Sequence, residues 1–151
     1  MLRNIDPLLT PELLYVLALM GHGDEIAVVD ANFPADSVAR SSCHGRPLAL
    51  VGASAPRAVG AILSVMPLDQ YVDAPARTMF APSTADGLPP VQQEVQDAVD
   101  AAAGKSSPLE GLERFAFYEA ARKCYAVVLS AERRLYGNFL LKKGVVPPDD
   151  R

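Results

Sequence analysis

"MGHGDEIAVVDANFP", residues 20–34, decides how this chain is read. Gly21 and Gly23 flank His22, and two acids, Asp24 and Glu25, follow directly. An unbroken apolar run, residues 26–29, then ends at Asp30, with Asn32 and Pro34 just beyond. A short apolar run between turn residues reads as a strand buried on both faces, as in a parallel sheet covered by helices. A carboxylate closing such a strand stands where α/β folds collect ligands, beyond the carboxyl ends of strands. His22 enters the same strand from its other end. It meets Asp30 only if the turn folds back or a neighbouring subunit contributes.

Upstream, Thr10 caps a helix that opens on Pro11 and Glu12 and presents Leu13, Leu14, Leu17 and Met20 at helical spacing; Gly21 stops it. Downstream, "ANFPADS" reads as a loop because Pro34 disfavours a continued ladder. "PLALV", residues 47–51, is a second strand, and Ser54 caps a helix running to about Met66. A strand is expected near residues 77–80, then a polar, proline-rich loop, then a helix over 91–102 with an acidic face. Residues 104–108 are a linker within the domain. A helix from Arg114 or Phe115 to Lys123 leads into the strand "YAVVLS", the turn "AERR" and a last strand "YGNFLLKKGVV", paired with its predecessor as a hairpin. Residues 147–151 are expected to fray. Alternating helices and strands over 151 residues predict one α/β domain, residues 1–151, with a mixed sheet and flanking helices.

Half the chain is hydrophobic and 21% is charged, as expected of a globular domain. A net charge of −4 argues against a nucleic-acid partner. No apolar run approaches the ~18 residues of a membrane span, and "MLRNIDP" lacks a signal-peptide core. Cys43 and Cys124 allow at most one disulfide, so a reducing, cytoplasmic setting is the simpler expectation.

The chemistry-bearing residues are few. His22 either serves proton transfer or stabilises the end of the preceding helix. His44, in "SSCHGRP", reads as ordinary surface. Asp24 and Glu25 with His22 form no established metal spacing, so no metal is expected. "ERFAFYE", residues 113–119, puts Arg114, Phe115 and Tyr118 at helical spacing, either as an aromatic core face with an exposed arginine or as part of a site. In "YGN", residues 136–138, Gly137 lets a ligand approach the backbone, or merely turns the chain. Nucleophile elbows, P-loops and dinucleotide fingerprints are missing from the sequence.

"GHGDEI…DANFP", "RFAFYE" and "LYGNFLLKKGV" together resemble the family of L-fucose mutarotases and D-ribose pyranases, over about residues 5–146 and in the right order. "GHGDE" with "ANFP" and "RFAFYE" look more like the fucose branch; residues 35–105 depart from the family in length and composition. The resemblance implies an enzyme that interconverts the α and β anomers of a free monosaccharide, L-fucose or a related aldose, without cofactor or metal. It implies a ring-shaped homo-oligomer, commonly a decamer, with sites at or near subunit contacts. Carried over by motif, His22 is the general acid, and Asp30, Arg114, Tyr136, Gly137 and Asn138 bind sugar hydroxyls, with Tyr118 lining the site. A sugar-binding accessory of an uptake system and a ribose-type pyranase are the alternatives.

Overall fold

The computed structural model describes residues 2–82 and 87–148. In chain order the elements are α1 (Pro11–Leu19), β1 (Glu25–Val29), α2 (Ala35–Ala39), β2 (Pro47–Leu50), α3 (Ala55–Leu63), β3 (Ala76–Met79), α4 (Pro90–Ala103), β4 (Glu110–Leu112), α5 (Arg114–Arg122), β5 (Ala126–Ser130) and β6 (Phe139–Lys142). The strands form one mixed six-stranded sheet in the order β2-β5-β1-β6-β3-β4. β1 pairs in parallel with β5 and antiparallel with β6, and β6 is also antiparallel to β3. Among the described strands, β6 alone runs against the rest.

The buried run of β1 serves two cores, because successive strand residues face opposite sides. Ile26 and Val28 join Leu13, Val16, Ile62, Val95 and Phe139 under α1, α3 and α4. Ala27 and Val29 join Phe33, Val38, Phe117 and Leu140 under α2 and α5. Each large side chain so buried contributes about 1.5–3 kcal/mol, which keeps β1 in the middle of the sheet.

Local chemistry sets the helix ends. The Thr10 hydroxyl accepts from the Leu13 N–H at 3.2 Å, and the Ser54 hydroxyl from the Arg57 N–H at 3.4 Å. Gly104, at φ +66°, closes α4 in the left-handed conformation. α1 ends differently: the Lys143 ammonium donates to the carbonyls of Leu17 at 2.7 Å and Met20 at 2.5 Å. Burial lowers the pKa of that ammonium, and nearby Asp24 works against the shift.

Several expectations need correction. β5 and β6 do not form a hairpin, because β1 lies between them. The last strand covers residues 139–142 rather than all of 136–146, since Tyr136 adopts φ +63° and leaves the extended conformation. "ANFPADS" is a loop only to Pro34. α2 follows, a short helix held by buried Ala35, Val38 and Ala39. α3 stops at Leu63, short of Met66. A three-residue strand, β4, follows the 104–108 linker and pairs with β3, where no strand was expected. His44 is not plain surface: its Nε2 lies 3.0 Å from a Glu12 carboxylate oxygen, and its side chain is largely covered. In α5 the core aromatic is Phe117, while Phe115 is exposed. The two cysteines are unpaired, Cys43 exposed and Cys124 buried. Part of the expected proline-rich loop, residues 83–86, and the end of the fraying tail, residues 149–151, lie outside the described residues. No helix among the described residues is long and apolar enough to cross a membrane.

Gly144 shows how tightly the end of β6 is packed. A Cβ there would lie 2.4 Å from the Leu68 carbonyl oxygen and 3.0 Å from the Asp69 Cα. Backbone cannot swing aside as a side chain does, so Gly144→Ala should destabilise the fold by about 1–3 kcal/mol. Urea unfolding checks this, and an unchanged midpoint would contradict the packing described.

Candidate functional site

Because β1 lies between β5 and β6, residues 131–138 must arch over the carboxyl end of β1 to connect its two neighbours. Asp30 sits directly beneath this arch. Its backbone N–H donates to Asn138 Oδ1 at 3.0 Å, and Asn138 Nδ2 donates back to Asp30 Oδ2 at 2.8 Å. Asp30 Oδ1 accepts from the Asn32 N–H at 3.0 Å. The carboxyl group is buried, and burial raises its pKa; the N–H groups of Asn32, Phe33 and Gly137 and the Asn138 amide oppose the shift.

α5 supplies the facing wall. The Glu113 carboxylate caps it, accepting from the N–H groups of Phe115 at 2.8 Å and Ala116 at 3.2 Å. Arg114 follows, its guanidinium 5.1 Å from the Phe115 ring centroid and 5.7 Å from that of Tyr118. Phe33 packs edge-on to Tyr118, with centroids 5.3 Å apart. Between α5 and the arch lies an open hollow of about 250 Å³. Asp30, Arg114, Tyr118, Tyr136 and Asn138 all line it, with Phe33, Met79 and Leu135 as its apolar parts. A carboxylate that accepts, a guanidinium that donates, an amide and two phenols beside apolar wall suit a small polyhydroxylated ring. Gly137 does not line the hollow. Its N–H faces Asp30, and a Cβ on it would lie 2.8 Å from Glu132 Cγ, so this position needs the missing side chain for packing.

His22 lies at the other end of β1. Glu25 to Asp30 alone is five strand steps, about 16 Å at ~3.3 Å per residue. The turn that carries the imidazole is pinned: the Gly21 N–H donates to Asp24 Oδ2 at 2.7 Å, and the Gly23 N–H to the Lys143 carbonyl at 2.8 Å. Glu25 is occupied by Arg77, which donates to both its carboxylate oxygens at 2.7 and 2.8 Å. His22 Nε2 lies 3.1 Å from Asp69 Oδ1, with the imidazole half-exposed and the carboxylate covered. The Tyr71 N–H at 3.0 Å, then the His22 contact, hold the Asp69 pKa below the ordinary carboxylate value. An ionised carboxylate only accepts, so Nε2 carries the hydrogen and Nδ1 is left for other chemistry. Asp69 is the residue that sequence reasoning missed. It sits in "PLDQY", forty-seven positions from its partner, with no local pattern to mark it.

One chain thus holds the His22–Asp69 pair and the Asp30 hollow at opposite ends of its sheet. Exposed apolar side chains flank each: Tyr71 and Val72 near His22, and Phe115 and Leu135 at the hollow.

Residues 3–146 match the model of the RbsD / FucU transport protein family. The chain is similar to the fucose mutarotase of Danio rerio, 43% identical over 152 residues that span 99% of this chain and 97% of that one. It is also similar to the L-fucose mutarotase of Haemophilus influenzae (strain 86-028NP), 44% identical over 147 residues, 97% of this chain and 99% of that one. Its fold matches the crystal structure of the fucose mutarotase in complex with L-fucose from Streptococcus pneumoniae. The TM-score is 0.85 at 36% identity, covering 97% of this chain and 100% of that one.

The buried carboxyl beneath the arch makes a direct prediction. Asp30 binds its proton more tightly in the fold than in the unfolded chain. Its contribution to stability is therefore fully present below the unfolded pKa of about 3.9 and is lost as the pH rises through the folded value. Carbon-13 NMR of the Asp30 carboxyl should give a midpoint above 3.9. A midpoint at or below that value would show that the hydrogen bonds outweigh burial.

Proposed function

Because the chain belongs to the RbsD / FucU transport protein family, we propose that it is an aldose mutarotase that interconverts the α and β anomers of L-fucose. The observation that carries this reading is the hollow beneath the arch, where Asp30, Asn138 and Arg114 present acceptor and donors to a sugar's hydroxyls. Phe33, Met79 and Leu135 offer apolar surface to the methyl group of a 6-deoxy sugar.

Anomers interconvert only through the open aldehyde. The ring oxygen must gain a proton and the anomeric hydroxyl must lose one; rotation about C1–C2 and reclosure then give the other face. His22 suits the first transfer, since imidazole titrates near neutral pH. Asp69 accepts from Nε2–H and fixes the ring, so Nδ1 is the nitrogen that delivers the proton. Tyr136 accepts the proton of the anomeric hydroxyl as it passes its own phenolic proton to a bound water, and both transfers run backwards when the ring recloses. The cycle needs no metal or cofactor, and the acids beside His22 have other partners in Gly21 and Arg77.

His22 and Asp30 meet when His22 of one subunit enters the hollow of the next. A head-to-tail contact of unlike ends gives a ring when its rotation closes, and the exposed apolar side chains at both ends supply the surface. We propose a decamer of two stacked pentamers, working in the cytoplasm on free monosaccharide.

NMR exchange spectroscopy should show accelerated α/β exchange of L-fucose, unchanged by excess chelator. His22→Ala should lose ~10²–10⁴ in rate with little change in affinity, because proton transfer acts only in the transition state. Asp30→Ala should weaken binding by about one to two decades, as a charged hydrogen-bonding partner is lost. No acceleration for any aldose, with sugar binding intact, would support a binding accessory. Exchange confined to pyranose and furanose forms of ribose would support a pyranase.

Subunit sharing has its own test. Mixed oligomers of His22→Ala and Asp30→Ala, dissociated and reassembled together and assayed with L-fucose well below saturation, should exceed the activity of either variant alone. A mixture no more active than the average of its components would place each site within one chain.

A further inference from the structure

Glu132 is a buried carboxylate in the arch that does not line the hollow. Its oxygens accept from the backbone N–H groups of Arg133 at 3.0 Å and Arg134 at 2.9 Å, and from the Arg134 guanidinium at 2.9 Å. One of them also accepts from the Ala55 N–H, at the start of α3, at 3.4 Å. The Glu132 carbonyl accepts from the Ala31 N–H, next to Asp30, at 2.8 Å. Arg134 reaches on to Glu94 of α4 at 2.6 Å. Two residues later Tyr136 stands at φ +63°, a conformation that bulky side chains avoid and that persists only where surroundings enforce it.

Two devices enforce it. Gly137 follows with its bare Cα against Glu132 Cγ, leaving the arch no room to relax on that side. Gln92, fully buried on α4, donates its amide hydrogens to the carbonyls of Tyr136 at 3.0 Å and Met79 at 2.8 Å. Both carbonyls belong to residues that line the hollow. Neither Glu132 nor Gln92 is among the lining residues.

We infer that Glu132 and Gln92 are positioning residues for Tyr136: anchored to α3 and α4, they hold its backbone left-handed, so that its side chain borders the sugar hollow. The inference rests on the proposed mutarotase reading, in which Tyr136 handles the anomeric proton. A shift of about an ångström at such a group costs up to ~10²-fold in rate.

The test is a double-mutant cycle. Gln92→Leu, Tyr136→Phe and the double variant are compared with wild type for kcat and KM of L-fucose exchange, with melting temperature and oligomer size as controls. Gln92→Leu should lower kcat ~10-fold or more with KM changed less than about threefold, and should cost less than about twofold once Tyr136 is Phe. Glu132→Gln keeps the shape and removes the charge, and should behave alike. It guards against either single change failing to fold. Equal losses in both backgrounds overturn the inference, because a residue that only stabilises the fold lowers activity whatever stands at 136. No effect of Gln92→Leu on kcat overturns it too. Wild type that exchanges no aldose defeats the mutarotase reading instead. The same cycle is then read in sugar affinity by calorimetry, where additive effects or undetectable binding reject the positioning role.

Discussion

The site depends on the insertion of β1 between β5 and β6. β5 pairs with Ile26–Val29 and β6 with Glu25–Val28, so β1 is held on both edges, and the two cores grip its alternate side chains. The chain leaving β5 must therefore cross about two inter-strand spacings, roughly 10 Å, before it can enter β6. It crosses above the one position where β1 ends in a carboxylate. A tight hairpin would have placed Tyr136 and Asn138 at the sheet edge, far from Asp30. The arch has a polar underside because it must satisfy the groups it covers: Ser130 Oγ donates to the Val29 carbonyl at 2.7 Å, and Asn138 answers both the N–H and the carboxylate of Asp30.

Three covered carboxylates show how surroundings divide the work. Asp30 meets mostly neutral donors, and burial prevails, so its pKa rises. Asp69 has a backbone N–H and an imidazole, and its pKa falls. Glu132 has the Arg134 guanidinium as well as backbone donors, and is held down to about 2. Glu132 therefore stays charged from neutral pH well into the acid range and is fitted to structural duty. Asp30 is the group among the three whose charge is least secure, and it faces the hollow. Lost solvation makes a carboxylate a better acceptor for a ligand's hydroxyls than one already neutralised by a cation.

The elements were legible wherever their signal was local. Caps at Thr10 and Ser54, the apolar run of β1 and the glycine after α4 each carry their meaning within a few residues. Pairing was not legible. The β5–β6 hairpin was inferred from adjacency in sequence, whereas the sheet order was set by which strand best fills the middle of two cores. β4 has three residues and no alternation to reveal it. Asp30, Arg114, Tyr118, Tyr136 and Asn138 were placed by motif, and the fold brings them to one hollow. Asp69, Gln92 and Glu132 act through partners distant in sequence or through backbone atoms, and neither leaves a pattern in a single sequence. Gly137 reads in sequence as a ligand approach or a turn, and nothing local shows that its missing side chain also makes room for Glu132.

Lys143 gives the far end of β1 a different character. The last carbonyls of α1 are satisfied by an ammonium from beyond β6, and the same residue's backbone pairs with Gly23 and Asp24. Helix ends commonly fray on their own, with opening free energies near zero. Here α1 cannot unwind its last turn without also stripping a charged group from the rim of the sheet. The amide protons of Met20, bonded to Val16, and of Gly23, bonded to Lys143, should therefore exchange with solvent at the pace of the sheet, not of a surface loop. The half-exposed imidazole at residue 22 thus stands between backbone anchors that open only with the sheet.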